Sequence, residues 1–272
     1  MSATKGPWGL AAAVILGLYG PAHAWHDKQP ATDYSASVLL DGEMRLGLFK
    51  AGFGLTDWLQ LETYTVPWLL RVANLSAKAA VWRPGDWTFA LELGLMSWNP
   101  KNLPGASEDA VDVPVVGVPL TAHATWHPAP ELRLSGALGY TVTKVDASDV
   151  SDADLSAVGA VSTGRAALSL EYRFGRVFAA VLEGHVMLYE NIRADGSVTT
   201  ELDEDTTVTT YADSDVDLGK ALRGHATLSG MWSWQEFNLR VGLGYGHYRV
   251  PMISFFVPEP FVVPELALFW RF

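Results

Sequence analysis

The side chains in this sequence best suited to hold a metal or move a proton are its histidines and their neighbouring carboxylates. Glu183 stands two residues before His185, and His123 and His225 lie in segments with the same alternating character. Neutral imidazole is a common metal ligand. However, no spacing brings the segments of His123 and His225 together, and no stretch matches the Asp-x-Asp-x-Asp-Gly pattern of a calcium loop. The reading therefore assigns no metal and no cofactor. Ser229 follows His225 by four residues, which puts both on one face of a strand but about 13 Å apart. A nucleophile and its base must be within hydrogen-bond reach, so this pair makes no hydrolase. Thr63, Thr65, Ser97 and His247, on the opposite face of their strands, complete no Ser–His–Asp or Ser–His–Asn set either.

The elements that carry these residues alternate with period two. In Glu131–Tyr140 the even positions are apolar or Gly and the odd ones charged or small, and Gly164–Phe174 and Phe237–Tyr245 repeat the pattern. One face is greasy and the other wet, as in strands between an apolar and a polar environment. Twelve such segments follow: 33–40, 43–53, 57–66, 72–82, 86–98, 114–127, 131–143, 161–174, 177–190, 219–234, 236–250 and 261–272. If the weakly patterned first one fails, ten is the next even count. Most exceed the nine to eleven residues, roughly, that a tilted strand needs to cross a bilayer. The wet faces carry Glu62, Lys78, Glu92, His123, Arg133, Arg165, Glu171, Arg173, Glu183, His185, Arg223, His225, Arg240 and Glu265.

Connections alternate too. Gly54–Thr56, Arg83–Gly85, Pro128–Pro130, Gly175-Arg176 and Gln235 are tight, whereas 99–113, 144–160 and 191–218 are long, polar and acidic. Half of the 30 acidic residues fall in those three stretches. They read as solvated extracellular loops, with cation bridging to lipopolysaccharide or calcium binding as the alternative. Glu190 and Lys220 flank the last of them and suggest a rim salt bridge. Short turns at one end and long loops at the other are the habit of an outer-membrane barrel.

The net charge of −11 argues against nucleic acid, and the absence of cysteine excludes disulfides, thiolate metal sites and a lipid-modified N-terminal cysteine. Lys5, the apolar run Leu10–Leu18 and Ala22-His23-Ala24 read as a secretory signal over 1–24, too short for a membrane anchor. Residues 25–272 then form a single barrel domain. Seven tryptophans, Trp58, Trp82, Trp87, Trp126, Trp232, Trp234 and Trp270, gather near the short-turn side, where amphipathic rings prefer the membrane–water boundary.

The C-terminal stretch Pro264–Phe272 puts Leu266, Leu268, Trp270 and the terminal Phe272 on one face. It resembles the assembly signal of bacterial outer-membrane β-barrels, whose last strand ends in an aromatic residue preceded by hydrophobics at every second position. Pro264 is a mild departure, tolerable near a strand start. The resemblance implies insertion by the barrel-assembly machinery among outer-membrane lipid and lipopolysaccharide. The fold expected is all-β, a transmembrane antiparallel up-and-down barrel of 12 strands with both termini periplasmic.

Two functions fit. One is a narrow channel or transporter for small polar solutes along the mixed-charge lumen. The other is a closed barrel whose charges pair into a rigid plug and whose acidic loops serve a structural or adhesive role. The outer-membrane phospholipases also use a twelve-stranded barrel, but their Ser, His and Asn have no counterpart here.

Overall fold

The computed structural model describes residues 31–102, 113–146, 155–175, 177–203, 206–217, 223–234, 236–247 and 260–272. The signal segment 1–24, most of loop 99–113, part of 144–160 and Lys220 lie outside the described residues. Thirteen strands follow in chain order: β1 Met44–Gly47, β2 Lys50–Thr56, β3 Leu59–Tyr64, β4 Ala73–Trp82, β5 Trp87–Trp98, β6 Val115–Ala129, β7 Leu132–Asp146, β8 Leu155–Arg173, β9 Phe178–Asp203, β10 Thr206–Asp217, β11 Gly224–Trp234, β12 Phe237–Gly246 and β13 Phe261–Arg271. A short helix, α1 (Thr65–Leu69), joins β3 to β4.

Twelve of these strands close into one antiparallel ring. Each pairs with the next, β9 skips to β11, and β13 returns to β1 in the register Arg45↔Arg271 and Leu46↔Trp270. Met44 and Phe272 exchange backbone hydrogen bonds of 3.1 and 3.0 Å, so the described chain starts and ends its wall at the short-turn end. Closure leaves no sheet edge around the ring at that level, as lipid requires of a β-structure. The thirteenth strand, β10, pairs only with Asn191–Asp203 of β9 and extends that hairpin beyond the wall. The stretch read as loop 191–218 thus contains ladder structure. Its β-branched runs, Val198-Thr199-Thr200 and Thr206–Thr210, favour strand over coil.

The count of twelve is reached by a different division of the N-terminal region than the periodicity suggested. Segment 33–40 is not a strand of the wall but lies inside the barrel, and 43–53 is not one strand but parts of two, β1 and β2, folded at Leu48-Phe49. The outward positions Met44 and Leu46 are followed by two adjacent exposed apolar residues, Leu48 and Phe49, and then by Ala51 and Phe53. That slip of phase is the fold's local signature.

The wall is inside-out relative to a soluble protein. Leu75, Leu91, Leu93, Leu95, Leu138, Leu168, Leu182, Leu228, Leu243 and Leu266 are exposed on the outer surface, while lumenal Lys, Glu, Arg, Thr and Ser are buried. An apolar band of this extent around a closed barrel is a lipid-facing surface. Beyond Gly47 β1 ends, so the Phe261–Ala267 part of β13 has no β1 partner among the described residues. Alternation along β13 turns the Pro264 nitrogen toward that side, where its missing N–H breaks no ladder bond.

Candidate functional site

Residues 31–40 run through the lumen, held by side chains of the wall rather than by a ladder. The Ala31 N–H donates to Glu171 Oε2 at 2.8 Å, the Ala36 N–H to Thr125 Oγ1 at 2.8 Å and the Leu39 N–H to Gln60 Oε1 at 2.5 Å. In return Lys78 Nζ donates to the Ser35 carbonyl and Arg240 to the Ala31 carbonyl. Within the segment, Thr32 and Ser35 hydroxyls accept from the N–H groups of Tyr34 and Ser37. Such local bonds compete with strand pairing, which is why 33–40 forms no strand. Gly42, at φ 74°, makes the turn from the lumen into β1 that a side-chain-bearing residue resists.

Beside this inner segment the lumenal charges stand in compact groups. Glu171, 1% exposed, takes Arg173 at 2.8 Å and Arg133 at 3.7 Å, besides the Ala31 N–H. Lys50 pairs with Glu62 at 2.5 Å and reaches Asp33 of the inner segment at 3.7 Å, where Arg45 also binds at 2.9 Å. Burial alone would raise the Asp33 carboxyl, but Lys50 and Arg45 beside it hold it well below the usual carboxylate range. Arg240 bridges Glu183 at 2.5 Å and Glu265 at 2.9 Å and donates its Nε to Ser229. His123 sets Nε2 3.1 Å from Glu92 and Nδ1 3.1 Å from the Tyr34 carbonyl.

Above the segment, toward the long loops, a cavity of about 190 Å³ remains, floored by Asp33 and Tyr34 and walled by residues that include Glu92, His123, Arg165, Glu183, His185, Arg223, Arg240 and Glu265. Burial, with Glu183 nearby, pushes the Tyr34 phenol well above its ordinary range, so it stays neutral. At the cavity's upper edge Arg223 pairs with Glu190 at 3.4 Å, while Lys220, the partner expected from sequence, lies outside the described residues. The His185 and His225 rings, on paired strands, lie 5.0 Å apart. His225 lies 3.3 Å from the Thr227 hydroxyl, and Ser229 is taken up by Arg240 and the Val181 carbonyl, so the two form no dyad. Among the described residues no three His, Asp or Glu side chains are grouped to hold a metal ion.

The charged and histidine positions assigned to the wet faces stand in different environments: packed against the inner segment, lining the cavity, or at its mouth. Sequence reasoning did not include Asp33, Arg45, Lys50 and Arg271. Arg45 and Arg271 both lie over the Phe269 ring, with guanidinium carbons 4.3 and 5.4 Å from its centre. The phase slip at Leu48-Phe49 is the signal that turns Arg45 and Lys50 inward.

Outside, the short-turn end carries a belt of aromatic rings in stacked, tilted and edge-on contact. Trp82, Phe89, Trp87 and Trp126 form one run with centroids 5.2 to 5.8 Å apart. Tyr172, Phe174, Phe178 and Trp232 form a second at 4.8 to 5.6 Å, and Trp234, Phe237 and Trp270 a third at 5.2 to 5.6 Å. Leu266, Leu268, Trp270 and Phe272 lie on the outer face of β13 beside them.

No family model matches the chain, and no curated protein does. Among solved structures it is similar to the toluene transporter TodX of Pseudomonas putida, at 10% identity over 86% of this chain and 80% of that one with a TM-score of 0.32. The toluene transporter TbuX of Ralstonia pickettii is 9% identical over 85% of this chain and 86% of its own, with a TM-score of 0.36. The translocator domain of the autotransporter NalP from Neisseria meningitidis is 14% identical over 85% and 86%, with a TM-score of 0.28. Likeness at this level assigns no function to the chain.

Proposed function

We propose that this chain is a bacterial outer-membrane barrel that admits small polar solutes into a charged vestibule and passes them when its inner segment leaves the lower lumen. Both termini face the periplasm, the signal segment 1–24 is removed, and the assembly machinery reads Leu266, Leu268, Trp270 and Phe272 among outer-membrane lipid and lipopolysaccharide. No catalytic role is part of the reading. The observation that carries it is the way residues 31–40 occupy the lumen. They add no strand to the wall, bury few apolar side chains (Ala31, Ala36 and Leu39), and are held by side-chain hydrogen bonds and the Asp33 ion pairs, all of which water can replace. Net contributions of such bonds are modest, about 0.5–1.5 kcal/mol each between neutral groups and about 1.5–3 kcal/mol where one partner is charged, so the segment is displaceable in a way that a wall strand is not.

The number of ion pairs favours a second reading, a permanently closed barrel with a structural role. Single-channel recording in planar bilayers separates the two. The mature protein is compared with a variant lacking 31–40, each first verified as folded by heat-modifiable migration. A gated pathway gives rare or small steps from the intact protein and discrete, stable steps from the deletion. A folded deletion variant that stays silent sinks the channel and leaves the closed barrel.

A further inference from the structure

We infer that the cavity above the inner segment is a binding site for small organic carboxylates, anchored by the guanidinium of Arg165. This inference rests on the reading of the lumen as a solute pathway and names the class of solute.

Arg165 differs from every other inward cation. Arg45 and Lys50 hold carboxylates, Lys78 holds the Ser35 carbonyl, Arg133 and Arg173 share Glu171, Arg223 has Glu190, Arg240 has two carboxylates, and Arg271 packs on Phe269. Arg165 has no hydrogen bond or ion pair among the described residues, and it lines the cavity. A guanidinium in a narrow, partly desolvated lumen is costly to leave without a counter-charge, and its planar fork matches a carboxylate in two-pronged fashion.

The neighbours of Arg165 make room for such a partner. A continuous register row crosses the wall from Glu92 through Thr121, Gly139 and Arg165 to Met187. A Cβ on Gly139 would come within 2.6 Å of Arg165 Nε, so the glycine lets the arginine arm lie flat across β7. Below it the inward residues shrink to Ala137 and Ala167, which together with Met187 give the cavity an apolar wall next to the charge. An engineered apolar cavity of about 150 Å³ holds benzene. The cavity here, about 190 Å³, has space for a small acid whose carboxylate meets Arg165 and whose carbon body rests on the alanines. Glu183, Glu265, Glu92 and Asp33, the carboxylates facing the same space, are already engaged by Arg240, His123, Arg45 and Lys50, and Glu265 Oε2 is the one oxygen among them that is buried without a hydrogen bond. The floor of the site is Tyr34, so an acid bound there touches the segment that blocks the path below.

The test is equilibrium binding to the full mature protein in detergent, by titration calorimetry with benzoate and with its neutral counterpart benzamide. Benzoate should bind about tenfold or more tightly than benzamide, the worth of a charge-assisted hydrogen bond. Arg165→Gln should erase that preference and Arg165→Lys retain part of it, while Gly139→Val, which keeps the charge but displaces the arm, should weaken benzoate alone. Because Arg165 has no partner in the wall, Arg165→Gln should also unfold at the same urea concentration as the parent. Equal binding of acid and amide, no binding of either, or a benzoate affinity unchanged by Arg165→Gln overturns the assignment. A carboxylate preference that depends on Arg165 in a protein silent under every recording condition would sink the pathway and keep the site.

Discussion

The two halves of the lumen are built by one alternation of residues and end in opposite states. In the lower half the inward charges are held at close range: Glu171 is closed by two arginines and a backbone N–H of the inner segment, Lys50 by two carboxylates, and Lys78 by the Ser35 carbonyl. In the upper half the wall carries the same residue types but narrows to Gly139, Ala137 and Ala167. There the charges pair along the wall, and Arg165, alone among the inward cations of the described residues, has neither an ion pair nor a hydrogen bond. The difference comes from the occupant rather than from composition. Where the inner segment brings carbonyls, N–H groups and Asp33 to the wall, the charges are neutralised, and where it stops a site remains.

Removing one charge from each half should sharpen this contrast. Glu171→Gln strips Arg133 and Arg173 of their shared carboxylate in a buried place, a loss of about 3–5 kcal/mol, read as a lower urea midpoint of the refolded barrel. Glu183→Gln leaves Arg240 with Glu265 and should cost less, about 1–3 kcal/mol. Trp87→Ala removes two stacks of the belt, each about 0.5–1.5 kcal/mol, and should destabilise without touching the lumen. Asp33→Asn should leave global stability nearly unchanged while speeding proteolytic cleavage within 31–40. In the parent protein that anchor survives acid. A carboxyl held below its free value of about 3.9 contributes fully above that value and is lost only as pH falls through the lower folded one. Lowering pH from 7 to 4 should therefore not accelerate cleavage there. Smallest of all is Arg165→Gln, expected to shift the urea midpoint by less than the resolution of the measurement. A drop comparable to that of Glu183→Gln would erase the distinction between the halves.

The wall was largely legible in the sequence because alternation is a local property. Leu132, Leu134 and Leu138 against Arg133, Ser135 and Ala137 fix which way each side chain of β7 points, whatever its neighbours. The inner segment was not legible in this way. Asp33-Tyr34-Ser35-Ala36-Ser37-Val38 alternates well enough to pass for a strand, and only its partners, Glu171, Thr125 and Gln60, at separations of 140, 89 and 21 residues, remove it from the wall. The pairing of charges was hidden for the same reason. Arg240 and Glu183 lie 57 residues apart on strands that are not direct neighbours, so their meeting depends on the closed ring and the reach of long side chains. The free state of Arg165 is the subtlest feature, since it follows from partners taken by other residues.

The aromatic belt at the short-turn end has an optical consequence. Seven of the nine tryptophans among the described residues lie at that end, several in ring contact with one another, so the intrinsic fluorescence of the protein reports chiefly on one boundary of the bilayer. Brominated lipids with the bromine near the headgroup should quench it more strongly than those brominated mid-chain. The appearance of that quenching during refolding then times the arrival of the turns at the interface, independently of when the lumen fills.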